Sequence, residues 1–399
     1  MQKILLGQLG ANGDCLYTTI IARQLRNDYP DAHIVWGISN QCESIIDNNP
    51  HIDEKWVIKI SGWDQHEPMW KIFEREAIQR YIRREYDQVY LSQIWPNNFR
   101  NFDGTVRPSI LRSYGKPITV PIENVIELTE QEKSNVDEYA RQNQLDDYEN
   151  IILFECTSKS GQSFVDIAYS QKVAKYLYKI LPDTRIIFST HLPMKLKDSR
   201  SCYAGDLTIR EIAYLTHYCS MFVGSGSGCT VAVSSTAAKP LPMIQILSKE
   251  TSVFASFAHD FEYFNIDRYE VLELTDENPS IASDCIALAC NKGIEVARYQ
   301  YKGIIPVSFD HYFTLIDTML IKQQKWLDAA RSLLVTAERY GWTQELIGFG
   351  KEKILPFLHL DLAYTFLENQ NVHEKLHYEI SHALSNPVHE SMQKRWFSE

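Results

Sequence analysis

The feature that most constrains this chain is alternation. Short β-branched runs at residues 4–6, 33–38, 56–60 and 89–92 are separated by helix-period stretches at 16–27 and 70–86. Strands interleaved with helices of that length predict a parallel sheet, because a parallel pair needs a crossover connection. The alternation breaks over 95–121, a polar, aromatic and proline-containing stretch of the kind that usually carries function. A helix over 129–144 and the polar run 145–150 read as a connector. A second series follows, with strands at 151–156, 185–189, 221–224, 243–247 and 270–274 and helices at 164–181, 208–219, 229–238 and 281–297. Beyond residue 309 the pattern turns helical, over 315–340 and 358–384. The expected fold is α/β: two Rossmann-like domains facing a cleft, over 1–145 and 146–308, with an extra helical C-terminal region over 309–399.

Each series contains a turn built for a ligand. In the first, the strand runs into Gly7-Gln8-Leu9-Gly10-Ala11-Asn12-Gly13-Asp14 and then a helix. The glycines allow a sharp turn and close approach, and the helix start offers unpaired N–H groups. Asp14 in a first helical turn is an ordinary cap by itself. At the carboxyl end of a first parallel strand, where open sheets place ligands, it is also a candidate general base, held ionised by the helix dipole. In the second series, Gly224-Ser225-Gly226-Ser227-Gly228-Cys229-Thr230 joins a strand to a helix. Its N–H groups and the hydroxyls of Ser225, Ser227 and Thr230 are expected to cradle a diphosphate. Contacts to the same ligand are also expected from Thr157, Ser158, Lys159 and Gln162 after residue 156, and from His191 to a base or ribose. On the first half, Gly13, Trp63, His66 and Trp95 suit a sugar, as does Trp70. Arg100 and Arg107 suit phosphate or carboxylate groups on a ligand. The bland alternatives are tight turns with hydroxyl caps, solvated cations and buried aromatic packing.

Composition narrows the classes. A net charge of -11 argues against a nucleic-acid surface. Eight scattered cysteines without a Cys-x-x-Cys fit free thiols in a reducing cytoplasm. No apolar run approaches a membrane span, and Gly7 comes too early for a signal peptide, so any membrane association is expected to be peripheral. No Asp-x-Asp in either loop offers a metal site, and no cofactor is expected.

The ordered motifs carry a resemblance. Gly10 to Thr19, then Tyr29-Pro30-Asp31-Ala32, then Asn49-Pro50-His51-Ile52-Asp53, resembles the N-terminal half of the heptosyltransferase-like glycosyltransferases, glycosyltransferase family nine. Leu207-Thr208-Ile209-Arg210-Glu211, the 224–230 loop and Ala237-Ala238-Lys239-Pro240 resemble that family's nucleotide-binding region. The resemblance implies a GT-B fold, a nucleotide-sugar donor on the second half, and a glycan or lipid-linked saccharide acceptor on the first. It also implies inverting, metal-independent transfer with Asp14 as base, in bacterial surface polysaccharide (lipopolysaccharide-type) synthesis. The donor side departs from the family. Asp-Thr-Gly and the following His are replaced by Gly226-Ser227-Gly228 and Val231, and the usual lysine aligns with Gln162, near Lys159.

Three rivals remain. A dinucleotide oxidoreductase wants Gly-x-Gly-x-x-Gly and an acid after the second strand, where this chain has other spacing and Ser39-Asn40. A non-catalytic nucleotide- or glycan-binding homologue fits the donor-side departures. A sugar-nucleotide epimerase of similar fold is the third.

Overall fold

A computed structural model describes residues 1–360 apart from Asn97, Lys159 and Ser160. Two separate parallel sheets form. Strands β1 (Lys3–Gly7), β2 (His33–Ser39), β3 (Glu54–Ile58) and β4 (Gln88–Leu91) pair in the order β3-β2-β1-β4. Strands β5 (Asn150–Glu155), β6 (Thr184–Ser189), β7 (Ser201–Tyr203), β8 (Met221–Gly224), β9 (Met243–Ile246) and β10 (Val271–Leu274) pair in the order β10-β9-β8-β5-β6-β7. The registers place Leu5 beside Val35 and Val89, and Ile152 beside Ile186 and Met221. The fold is α/β with two Rossmann-like sheets, as the alternation predicts.

Crossover helices complete each unit. They are α1 (Asn12–Asp28) and α2 (His66–Ile82) in the first, and α5 (Ile167–Ile180), α6 (Ile209–Leu215), α7 (Gly228–Ala232) and α8 (Phe257–Tyr263) in the second. Between the units lie α3 (Arg107–Arg112) and α4 (Glu130–Gln142). After β10 come α9 (Pro279–Lys292), α10 (Ile294–Tyr301), α11 (Asp310–Met319) and α12 (Trp326–Tyr340). The expected 358–384 helix falls almost wholly outside the described residues.

Strand alternation assigns each side chain to a layer. Leu5 and Val35 face Trp70 and Phe73 of α2, while Ile4 and Leu6 face a core shared by both units. Ile152 and Phe154 face α5 and α9, while Ile151 and Leu153 join that shared core. The last helices return to the first unit: the Ser332 hydroxyl donates to the Phe102 carbonyl at 2.6 Å, and Tyr312 stacks on Phe102. Among the described residues no helix is long and apolar enough to cross a membrane.

Strand order fixes where a ligand can sit. In the first sheet the order reverses beside β1 and β4, and in the second between β5 and β8. Crevices at such reversals, outside the strands' carboxyl ends, are the binding positions of open α/β sheets. Asp14 follows β1, Trp95 follows β4, Glu155 ends β5 and the glycine-serine loop follows β8.

Candidate functional site

The loop after β1 is held from within. The Gln8 side chain donates to the Gly10 carbonyl at 2.7 Å and accepts from the Ser92 hydroxyl at 2.8 Å, and Leu9 N–H donates to Gln93 Oε1 at 2.8 Å. Ala11 is the cap residue of α1 and brings no side-chain hydrogen bond. Asp14 takes over part of that role, accepting from the Ala11 N–H in the manner of the third residue of a capping box.

Asp14 departs from the expectation of a carboxylate held ionised by the dipole. It is half-buried, and desolvation pushes its carboxyl up to about 7 against the Ala11 bond that lowers it. A helix terminus contributes about 0.3–1 kcal/mol, whereas removing a carboxylate from water costs several. Burial therefore wins. A carboxyl near 7 suits proton transfer at neutral pH.

The two loops touch. A Cβ on Gly13 would lie 3.3 Å from Val231 Cγ2, and one on Gly228 would lie 3.3 Å from Asn12 Cβ. Gly13 and Gly228 thus let α1 and α7 meet end to end, a contact role rather than an open approach to ligand.

Glu155 decides the chemistry of the second loop. This buried carboxylate accepts from the N–H groups of Ser225 (2.8 Å), Ser227 (3.4 Å), Cys229 (3.1 Å) and Thr230 (3.3 Å). It also accepts from the hydroxyls of Ser225, Ser227 and Thr230. The groups expected to cradle a diphosphate are turned inward onto an internal anion. The loop's other side is also engaged: Gln162 donates to the Gly226 carbonyl at 2.9 Å, and Gly226 N–H donates to Gln245 Oε1 at 3.0 Å. Thr157 Oγ1 lies 3.3 Å from Thr190 Oγ1, Ser158 donates to the Ser163 carbonyl, and His191 is exposed. Lys159 lies outside the described residues. At the level of sequence Glu155 stands inside the expected 151–156 strand and is a fallback base, with Glu67 and His66, should Asp14 prove only a cap. A buried acid facing a glycine-serine loop across neighbouring strands was the available signal, but that pairing is a tertiary fact.

On the first half, three expected residues come together. Trp63 lies 4.7 Å from His66 and stacks on Trp95 at 5.7 Å with an 11° tilt, and a Cβ on Gly10 would lie 2.7 Å from His66 Cε1. An aromatic shelf thus adjoins the Asp14 loop. His66 is 2% exposed with Nδ1 lacking a hydrogen-bond partner, and burial pulls its pKa down. Trp70 is buried in the layer behind, against Phe73, which corrects its expected sugar-facing role.

The two arginines differ from expectation. Arg107 is buried, pairs with Asp260 at 3.2 Å, and lies over the Tyr17 ring. It joins the halves instead of facing solvent. Arg100 Nε donates to Asn98 Oδ1 at 3.2 Å. Arg210, within the nucleotide-region resemblance, is also buried. It bonds Glu132 at 2.7 Å and the carbonyls of Ile45, Asp47 and Glu127, bolting the second half to the first. Asp103, Arg112 and Arg339 make a further buried cluster: Asp103 accepts from Arg112 at 2.9 Å and Arg339 at 3.2 Å, and these cations hold its carboxyl down at about 2.

No protein-family model matches the chain, and no curated protein matches it in sequence. Among solved structures it is similar to a glycosyl transferase family 9 protein from Veillonella parvula, at 16% identity over 80% of this chain and 97% of that one, with a TM-score of 0.49. It is similar to the E. coli ADP-heptose LPS heptosyltransferase II at 15% identity, over 76% of this chain and 100% of that one, with a TM-score of 0.45. A putative UDP-N-acetylglucosamine 2-epimerase from Listeria monocytogenes follows at 10% identity, over 79% and 95%, with a TM-score of 0.41.

Proposed function

We propose that this protein is a GT-B-type glycosyltransferase that moves a sugar from a nucleotide-sugar donor to a glycan or lipid-linked saccharide. Asp14 is the general base. It takes the proton from the acceptor hydroxyl as that oxygen bonds to the anomeric carbon, and the bond to the leaving diphosphate breaks with inversion. The observation that carries this reading is the half-buried Asp14 carboxyl at the β1 switch point, in a loop that adjoins the aromatic shelf, raised to about 7. The acceptor side is the first half, through Trp63, Trp95 and His66. The donor side is the β5/β8 crevice, through Thr157, Ser158, Gln162 and His191 at its rim, because Glu155 already fills the 225–230 cradle. Domain limits near 145 and 308, and work at the inner membrane surface on lipid-linked acceptors, belong to the same reading.

Glu155 favours a second reading, a non-catalytic nucleotide or glycan binder, since an internal anion opposes a diphosphate at that loop. Release of free nucleotide from UDP-, GDP-, ADP- and CMP-sugars separates the two. Turnover that falls at least ~100-fold in Asp14→Asn supports the enzyme, on the scale of a lost general base. Binding without release by any donor supports the binder.

A further inference from the structure

We infer that the subsite beside Asp14 takes a neutral pyranose, stacked by its apolar face on Trp63, and disfavours phosphorylated or carboxylated sugars. The inference rests on the first half being the acceptor side. Trp63 is 63% exposed, an unusual placement for a large indole. It does not stand alone: Trp95 backs it nearly parallel and His66 backs it at 4.7 Å, so its plane is set before a ligand arrives. A fixed flat π-face suits the C–H side of a sugar ring, with little ordering cost. Beneath it, His66 Nδ1 is a buried polar atom with no hydrogen-bond partner.

The cations expected to meet an anionic acceptor are engaged elsewhere. The arginine expected to meet acceptor phosphate, Arg107, is enclosed with Asp260, and Arg100 leans on Asn98. Asp64 follows Trp63 directly, and Glu67 lies four residues on and pairs with Lys71 at 2.5 Å. A phosphate on the bound ring therefore finds no uncommitted guanidinium among these groups, whereas a neutral hydroxyl needs none.

The test needs neither donor nor turnover. Methyl glycosides of glucose, galactose and mannose are titrated into the full-length protein by tryptophan fluorescence and ligand-observed NMR, alongside the three hexose 6-phosphates. At least one methyl glycoside is expected to bind, and roughly tenfold more tightly than its 6-phosphate counterpart. Trp63→Ala is expected to weaken it roughly tenfold and Trp63→Phe about threefold, with melting temperatures unchanged because the ring is exposed. Three outcomes overturn the inference: no methyl glycoside binds, a hexose 6-phosphate binds as tightly, or Trp63→Ala binds like the parent. Glycoside binding through Trp63 without nucleotide release from any donor keeps this inference and removes the enzyme reading.

Discussion

Asp14→Asn should make the protein more stable at neutral pH while removing its activity. Burial raises the Asp14 carboxyl from 3.8 to about 7 in the folded protein, so between those values the folded state holds a proton that the unfolded chain has released. Stability falls as pH rises wherever the folded state binds more protons. At 1.36 kcal/mol per pH unit the interval corresponds to about 4 kcal/mol, a ceiling for a carboxylate that retains some solvent contact. Asparagine has nothing to ionise, and its carbonyl can still accept from the Ala11 N–H. Urea unfolding of both proteins from pH 4 to 8 should therefore give curves that coincide near pH 4 and separate by 1 kcal/mol or more, up to about 4, by pH 8, with the variant on top. In the same window the parent's kcat/KM should climb about tenfold per pH unit until about pH 7 and then level, while the variant stays at least ~100-fold lower. Curves that run parallel across the range, or a variant less stable throughout, would refute the account of Asp14 as a desolvated carboxyl. A flat pH–rate profile would remove it as the base.

Glu155→Ala strands four backbone N–H groups and three hydroxyls, so a loss of at least ~3 kcal/mol is expected in urea unfolding, with Glu155→Gln falling between. Arg107→Ala leaves Asp260 buried without its cation and should cost about 3–5 kcal/mol in the same assay, where a solvent-facing arginine would cost almost nothing. Arg210→Ala should cost a similar amount and split the thermal transition in calorimetry, because that side chain ties the second half to the Ile45 and Asp47 carbonyls. Arg210 holds the Glu132 carboxyl down at about 2, so its contribution is present above the ordinary 4.5 and disappears as pH drops towards 2. Acid titration of the parent should show that loss, and of Arg210→Ala should not.

Local signals in the sequence foretold the elements well. Met221–Gly224 falls where the apolar run ends at glycine, and β1, β2, β5 and β6 match their β-branched runs to within a residue or two. Helices ran long where periodicity continued through a break: the stretch 281–297 is α9 and α10 separated at Gly293, whose φ of +89° a helix cannot carry. The three-residue β7 has too little pattern to read. Placement was legible where residues lie close in sequence, as with Asp14 in the first turn of α1 or the Trp63–His66 pair. It was not legible where function depends on partners from distant segments. Arg107 reads as a solvated cation until Asp260 is placed beside it, and the 225–230 loop reads as an empty anion cradle until Glu155 is placed inside it.

The buried trio of Asp103, Arg112 and Arg339 also imposes an order on synthesis. Asp103 and Arg339 are separated by 236 residues, so at roughly 5–20 residues per second the earlier pair waits on the order of 10 to 50 s before its last cation leaves the ribosome. Until then that region cannot close without a carboxylate short of a partner, and α12 cannot seat its Ser332 hydroxyl on the Phe102 carbonyl. The nascent first half is therefore left open around Phe102 and Asp103, in the segment that follows β4. A ribosome stalled before residue 339 would hold a chain whose sheets are both complete and whose Asp103–Arg112 pair still waits for Arg339.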